Sequence, residues 1–108
     1  MLYIHGGNSE QKKLARQLFH FCSEGLFPDR ENLTIDLSIQ KVSKALAWTD
    51  YEGNGKFNIE IENSLERRAF IVTLCHEMIH VCQFLKGEDV SESVAYEFES
   101  KLAHQFYE

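Results

Sequence analysis

Basic residues are scarce in this chain and scattered where they occur. Eleven lysines and arginines stand against seventeen acids, a formal net charge of −6. Lys12-Lys13 and Arg67-Arg68 are isolated pairs, so the clustered positive charge that nucleic-acid binding needs is missing. No apolar run approaches the roughly 18 residues of a membrane-spanning helix. Met1–Gly7 is too short and too polar for a signal peptide. Cysteine is limited to Cys22, Cys75 and Cys82, an odd number without CxxC spacing. That argues against a disulfide framework or a zinc ribbon and points to a reducing, cytoplasmic setting. A single proline, Pro28, and no glycine- or serine-rich stretch leave no candidate linker. The expectation is one domain over residues 1–108, without nucleic-acid or membrane partners.

What remains is patterned for an α+β fold. Leu14, Leu18, Phe21 and Cys22 recur at helical spacing behind Ser9, a candidate cap, and this helix should stop near Gly25 with Pro28 beyond it. Leu33, Ile35, Leu37 and Ile39 alternate with polar residues, the period of a half-buried strand. Ala45–Tyr51 and Lys56–Glu62 read as two more strands around Glu52-Gly53-Asn54-Gly55, where Asn-Gly favours a tight hairpin. Asp50, Glu52, Asn54 and Gly55 imitate the start of a calcium loop. Ile61 stands where such a loop needs glutamate, and the flanks are strand-like, so calcium is rejected.

Asn63, with Glu66 three residues on, suggests a capped helix from Ser64 to about Lys86, closed by Gly87. Its apolar residues cover more than one face, which places it centrally. A last helix is expected from about Val90 to Phe106, packing through Val94, Ala95, Phe98, Leu102 and Phe106. The predicted order is α-β-β-β-α-α, with a three- or four-stranded, mostly antiparallel sheet packed on its helices.

The chemistry is concentrated in His76-Glu77-Met78-Ile79-His80. Histidines four apart on a helix share a face, and both imidazoles can reach one Zn²⁺. Glu77 projects about 100° round the helix from His76, where a general base can act on the water that a metal activates. A catalytic zinc site needs a third protein ligand and an open fourth position. Glu88, Glu92, Glu97 and Glu99 are the candidates downstream. Glu92 lies twelve residues beyond His80, at the start of a helix that can double back. Its bland alternative is to partner an Asp89 cap.

The segment Glu92-Ser93-Val94-Ala95-Tyr96 resembles the ExxA(N/D/Y) sequence that carries the third ligand in gluzincin-type metallopeptidases. Together with HEMIH and the short turn between them, it resembles the small gluzincin, or minigluzincin, group of compact phage- and bacteria-encoded peptidases. The region around HEMIH is also similar to SprT-like proteins. The resemblance covers about residues 56–106. It implies a zincin-like fold, a Zn²⁺ cofactor held by His76, His80 and Glu92, and peptide-bond hydrolysis with Glu77 as base. The absence of a cysteine-rich ribbon or basic extension departs from SprT-type action on DNA-bound protein. Tyr96 stands where many gluzincins have an acid or amide that orients a histidine.

Peptide hydrolysis also needs a group to polarise the scissile carbonyl, and Tyr96 and His104 are candidates of the right chemistry, each with a structural alternative. Cys75 and Cys82 read as core residues, His5 and His20 as surface residues, and Trp48 as core or groove wall. A peptide or protein substrate could add as a strand along Lys56–Glu62, if that strand is the sheet edge. The rival class is a non-catalytic zinc-binding interaction module, which would have no need of Glu77.

Overall fold

In a computed structural model of the chain, residues 1–27 and 32–107 are described. They form β1 (Leu2–Gly6), α1 (Ser9–Gly25), β2 (Thr34–Gln40), β3 (Ala47–Gly53), β4 (Lys56–Glu62), α2 (Arg67–Leu85) and α3 (Glu92–Tyr107). The fold is α+β, with a four-stranded sheet in the order β1-β2-β4-β3. Pro28, expected as a helix stop, lies outside the described residues.

Two features depart from expectation. The chain begins with a strand that local patterning does not reveal, since β1 offers only Leu2 and Ile4, both half-buried. The sheet is also mixed and not mostly antiparallel: β1 pairs β2 and β2 pairs β4 in parallel, and only β3–β4 is antiparallel. The reason is topological. Helix α1 carries the chain back across the sheet between β1 and β2, and such a crossover aligns the strands it joins.

Local signals explain the element ends. Asn8, and not Ser9, caps α1: its Oδ1 accepts from Gln11 N at 2.8 Å while Gln11 Oε1 accepts from Asn8 N at 3.0 Å. That is a reciprocal capping box one residue earlier than expected. Helix α2 starts at Arg67 because Glu66 caps it, taking the Arg68 and Ala69 amides at 3.0 and 2.7 Å, and not Asn63. Gly87, at φ 70°, closes it. Asn54 and Gly55 turn the β3–β4 hairpin at φ 56° and 75°, the left-handed pair that the Asn-Gly reading requires.

One sheet face is the core. Ile35, Leu37 and Ile39 of β2 and Phe57, Ile59 and Ile61 of β4 are buried against Leu14, Leu18 and Cys22 of α1 and Phe70, Ile71, Leu74 and Met78 of α2. Cys75 and Cys82 join them, and all three cysteines are buried thiols. Burial pushes the Cys75 thiol up to about 12, and Cys22 and Cys82 upward too, so these sulfurs behave as small apolar groups.

Helix α2 is central, with Leu74–Gln83 buried without a break. Helix α3 lies against α2, and of the expected stripe Ala95 is buried and Leu102 and Phe106 pack in part against the core, while two members face outward. Val94 and Phe98 are 38% and 44% exposed, while Ala95 and Ala103 are buried. Lys101 Nζ covers the outward Phe98 ring at 5.2 Å.

The edge next to α2 is β3. Strand β4 is paired on both sides and therefore cannot take an added strand, contrary to the expectation for Lys56–Glu62. The register of β3 also settles where its backbone points. Leu46 O accepts from Glu62 N at 2.8 Å, and Trp48 faces Glu60 two residues on. Antiparallel pairs alternate between bonded and non-bonded. Trp48 and Asp50 therefore bond to β4, whereas Ala47 and Thr49 turn their N–H and C=O groups to the open edge.

Candidate metal centre

Four polar side chains lie within the buried stretch of α2. His76, Glu77, His80 and Gln83 are all nearly inaccessible. Burying that many polar groups is costly unless each finds a partner, and each does. His76 and His80 stand one turn apart with ring centroids 4.8 Å from each other. Glu92, the first residue of α3, places its carboxylate across both: Oε1 is 2.6 Å from His80 Nε2 and Oε2 is 3.2 Å from His76 Nε2.

The other ring nitrogens are held from behind. His76 Nδ1 lies 2.7 Å from Glu99 Oε2, and His80 Nδ1 lies 2.9 Å from Gln83 Oε1. A carboxylate or amide oxygen only accepts, so each Nδ1 carries the proton and donates it. Each Nε2 faces a Glu92 carboxylate oxygen, the side on which its lone pair would meet a metal ion once any Nε2 proton has left. Gln83 also ties down the α2–α3 turn through Ser91, its Nε2 donating to the carbonyl and its Oε1 accepting from the amide, both at 3.3 Å.

One ligand atom from each of His76, His80 and Glu92 lies within 4.8 Å of the others. Two imidazole nitrogens and one carboxylate oxygen are a donor set that suits a divalent ion of borderline softness such as zinc, with a fourth position free. Glu92 stays 63% exposed on its side chain, so the trio is reached from solvent on its α3 side. The cap alternative for Glu92 fails, since α3 begins at Glu92 itself and Ser91 Oγ accepts the Val94 amide at 3.3 Å.

Glu77 lines the same cavity as this trio and reaches the edge strand, where Thr49 Oγ1 donates to its Oε1 at 2.8 Å. Burial raises the Glu77 carboxyl above the usual carboxylate range. The Thr49 bond and the two histidines oppose that shift, and Glu92 adds to it.

A cavity of about 710 Å³ opens over these groups between β3 and α2. Tyr96 lines it, its ring 4.8 Å from that of His76. His104, the second candidate for carbonyl polarisation, is not part of the wall. It lies twelve residues beyond Glu92, about 18 Å along the helix axis. Trp48 is groove wall, together with Leu46, Ala47, Ala69, Val72 and Phe84.

The sequence reading brought His76, Glu77, His80, Glu92 and Tyr96 to one place. It missed the roles of Thr49, Gln83 and Glu99. For Glu99 a signal exists: it follows Glu92 by seven residues, two helical turns, and so shares its face. Gln83 follows His80 by three, a spacing that also brings side chains together. Thr49 offers no local signal, because its partner is brought to it by the sheet. Compared with known proteins, the chain matches no family model, no curated protein and no solved structure.

Proposed function

We propose that this chain is a zinc metallopeptidase of gluzincin type, with His76, His80 and Glu92 as the metal ligands and Glu77 as the general base. The observation that carries the reading is the pairing of two unlike carboxylates around one histidine pair. Glu92 faces both Nε2 atoms, as a ligand would. Glu77 is buried beside them, makes no ligand-like contact, and is held by Thr49 instead. A non-catalytic module has no reason to bear the cost of a second, buried carboxylate.

When bound, Zn²⁺ would supply Lewis acidity, polarising a peptide carbonyl and making a water nucleophilic at neutral pH. The chain's own residues do the rest. Glu77 takes the proton from the attacking water and returns it to the leaving amine. Burial raises this carboxyl, which makes it a stronger proton acceptor than an exposed carboxylate. The outward backbone groups of Ala47 and Thr49 pair with an extended peptide segment and lead it past Glu77. Leu46, Val72, Phe84 and Tyr96 give the cleft apolar walls for its side chains. Tyr96 is the candidate to steady the carbonyl oxygen as charge develops there.

The deciding experiment pairs metal analysis with two substitutions. Protein reconstituted with zinc should hold about one ion per chain. Glu92→Ala should weaken zinc binding by about 100-fold or more through loss of a charged ligand. Glu97→Ala, on another side of α3, should leave it unchanged. A chain that binds no zinc, or a Glu92 variant that binds as well as the parent, would refute the assignment.

A further inference from the structure

Glu92 and Glu99 are separated by about 700° of helix, so they lie within about 20° of each other on one stripe of α3. Tyr96 sits between them and packs on the same His76 ring. The rest of α3 packs through small or partly exposed side chains. It buries only Ala95 and Ala103 completely, adds Leu102 and Phe106 in part, and leaves Val94 and Phe98 outward. Apolar burial is non-directional, so Ala95, Ala103 and the partly buried Leu102 and Phe106 set the inward side of the helix without by themselves pinning one exact rotation about its axis. The carboxylate–imidazole contacts pin it: Glu92 to both Nε2 atoms and Glu99 to His76 Nδ1.

We infer that Glu99 is the positioning residue of the metal centre, and that docking of α3 and metal binding are one coupled event. The inference rests on the metal-ligand reading of His76, His80 and Glu92. Glu99 acts in two ways. By accepting the His76 Nδ1 proton it fixes the tautomer that leaves Nε2 free as a donor. By gripping that ring from the second turn of α3 it also fixes the helix rotation that brings Glu92 over the site. A dication joining Glu92 to both histidines closes the same contacts from the front. Each event therefore favours the other, as linkage requires. The position normally filled by an orienting acid or amide in the resembling family is Tyr96 here, and Glu99, three residues later, supplies what Tyr96 lacks.

The test uses the full chain, stripped by a chelator or reloaded with zinc, in native, Glu99→Ala, Glu99→Gln and Glu97→Ala forms. Zinc affinity is read by competition with a chromophoric chelator. Glu99→Ala should bind about 10–100-fold more weakly than native. Glu99→Gln, which keeps an acceptor for Nδ1–H, should recover most of that loss, and Glu97→Ala should stay within about twofold of native. Two-bond ¹H–¹⁵N spectra of the metal-free proteins should show His76 protonated on Nδ1 in the native and Gln forms, and a tautomer mixture in the Ala form. In the native chain, amide exchange over residues 96–107 should slow on zinc addition while the α2 core changes little, a readout that needs no variant. Equal affinity in Glu99→Ala and Glu97→Ala, or α3 amides indifferent to zinc, would overturn the inference and leave the ligand assignment standing. A native chain that takes up no zinc would overturn both.

Discussion

Thr49 Oγ1 lies 2.8 Å from Glu77 Oε1, and this bond ties the sheet edge to the carboxylate proposed as base. Thr49 sits at a non-bonded position of the β3–β4 ladder. One residue thus offers its backbone to a bound peptide strand and its side chain to the carboxylate proposed to activate the attacking water. Thr49→Val keeps the branched shape and removes the donor. Turnover should fall about tenfold, the low end of what a misoriented catalytic group costs, with KM little changed. Thr49→Ser should retain most of the activity. A Val variant with full turnover, or a loss confined to KM, would show that Glu77 does not depend on the bond.

Glu77→Gln should retain zinc and lose about 10²–10⁴-fold in cleavage of a labelled casein substrate. It should also change stability in a pH-dependent way. In the metal-free chain, burial raises the folded-state pKa of Glu77 above its unfolded value. The folded state then binds the proton more tightly, so the native chain loses stability as pH rises from the unfolded pKa through the folded one. Glutamine carries no such penalty. Metal-free Glu77→Gln should therefore match or trail the parent in acid and exceed it near neutrality, with a gap that widens as pH rises. Thermal melts at several pH values would show it, and a gap that shrinks towards neutrality would contradict the assigned cause.

The turn at the far end of the same hairpin gives a test of the fold alone. Gly53 and Gly55 both hold positive φ, 90° and 75°. A Cβ at Gly53 would meet open space, whereas one at Gly55 would collide with the backbone carbonyl of Asn32. Gly53→Ala should cost about 1 kcal/mol from backbone strain alone. Gly55→Ala adds a clash that only backbone movement can relieve and should cost about 2–3 kcal/mol. Denaturant melts that rank the two the other way would mean that Asn32 moves aside at little cost.

How much of this was legible beforehand follows the range of the interactions. The two histidines of α2 and Glu77 are set within one stretch of five residues, and Glu92 lies twelve residues on. The Asn54-Gly55 turn is equally local, and each of these was readable. Strand β1 was not, because five residues with two half-buried apolar side chains carry too little pattern. Its absence hid the crossover and with it the parallel pairing of β1, β2 and β4. The edge position was misassigned to β4 because its apolar face is cleaner than that of β3. A clean face reflects a central strand over the core, with Phe57, Ile59 and Ile61 wholly buried. On α3 the large residues misled: the helix packs closely through Ala95 and Ala103, so Val94 and Phe98 are left outward. The same rotation is what turns Glu99 inward.

Peptide pairing along β3 can be separated from the integrity of the strand by proline. Ala47 turns its N–H to the open edge, whereas Trp48 faces Glu60 at a bonded position of the ladder. Proline is tolerated at an edge where its missing donor faces outward and not where a ladder bond is lost. Ala47→Pro should therefore keep a cooperative melt and bind zinc as the parent does, because no metal ligand lies on β3. Trp48→Pro should lose a ladder bond, and about 3 kcal/mol or more of stability is the scale of such a disruption. If a substrate strand docks on this edge, Ala47→Pro removes one of its hydrogen bonds. KM for an extended fluorogenic peptide should then rise about tenfold, the worth of a hydrogen bond at the strong end of the usual range, while kcat changes less. Unchanged KM in a folded, zinc-loaded Ala47→Pro protein would place the substrate elsewhere in the cleft and leave the metal ligands untouched.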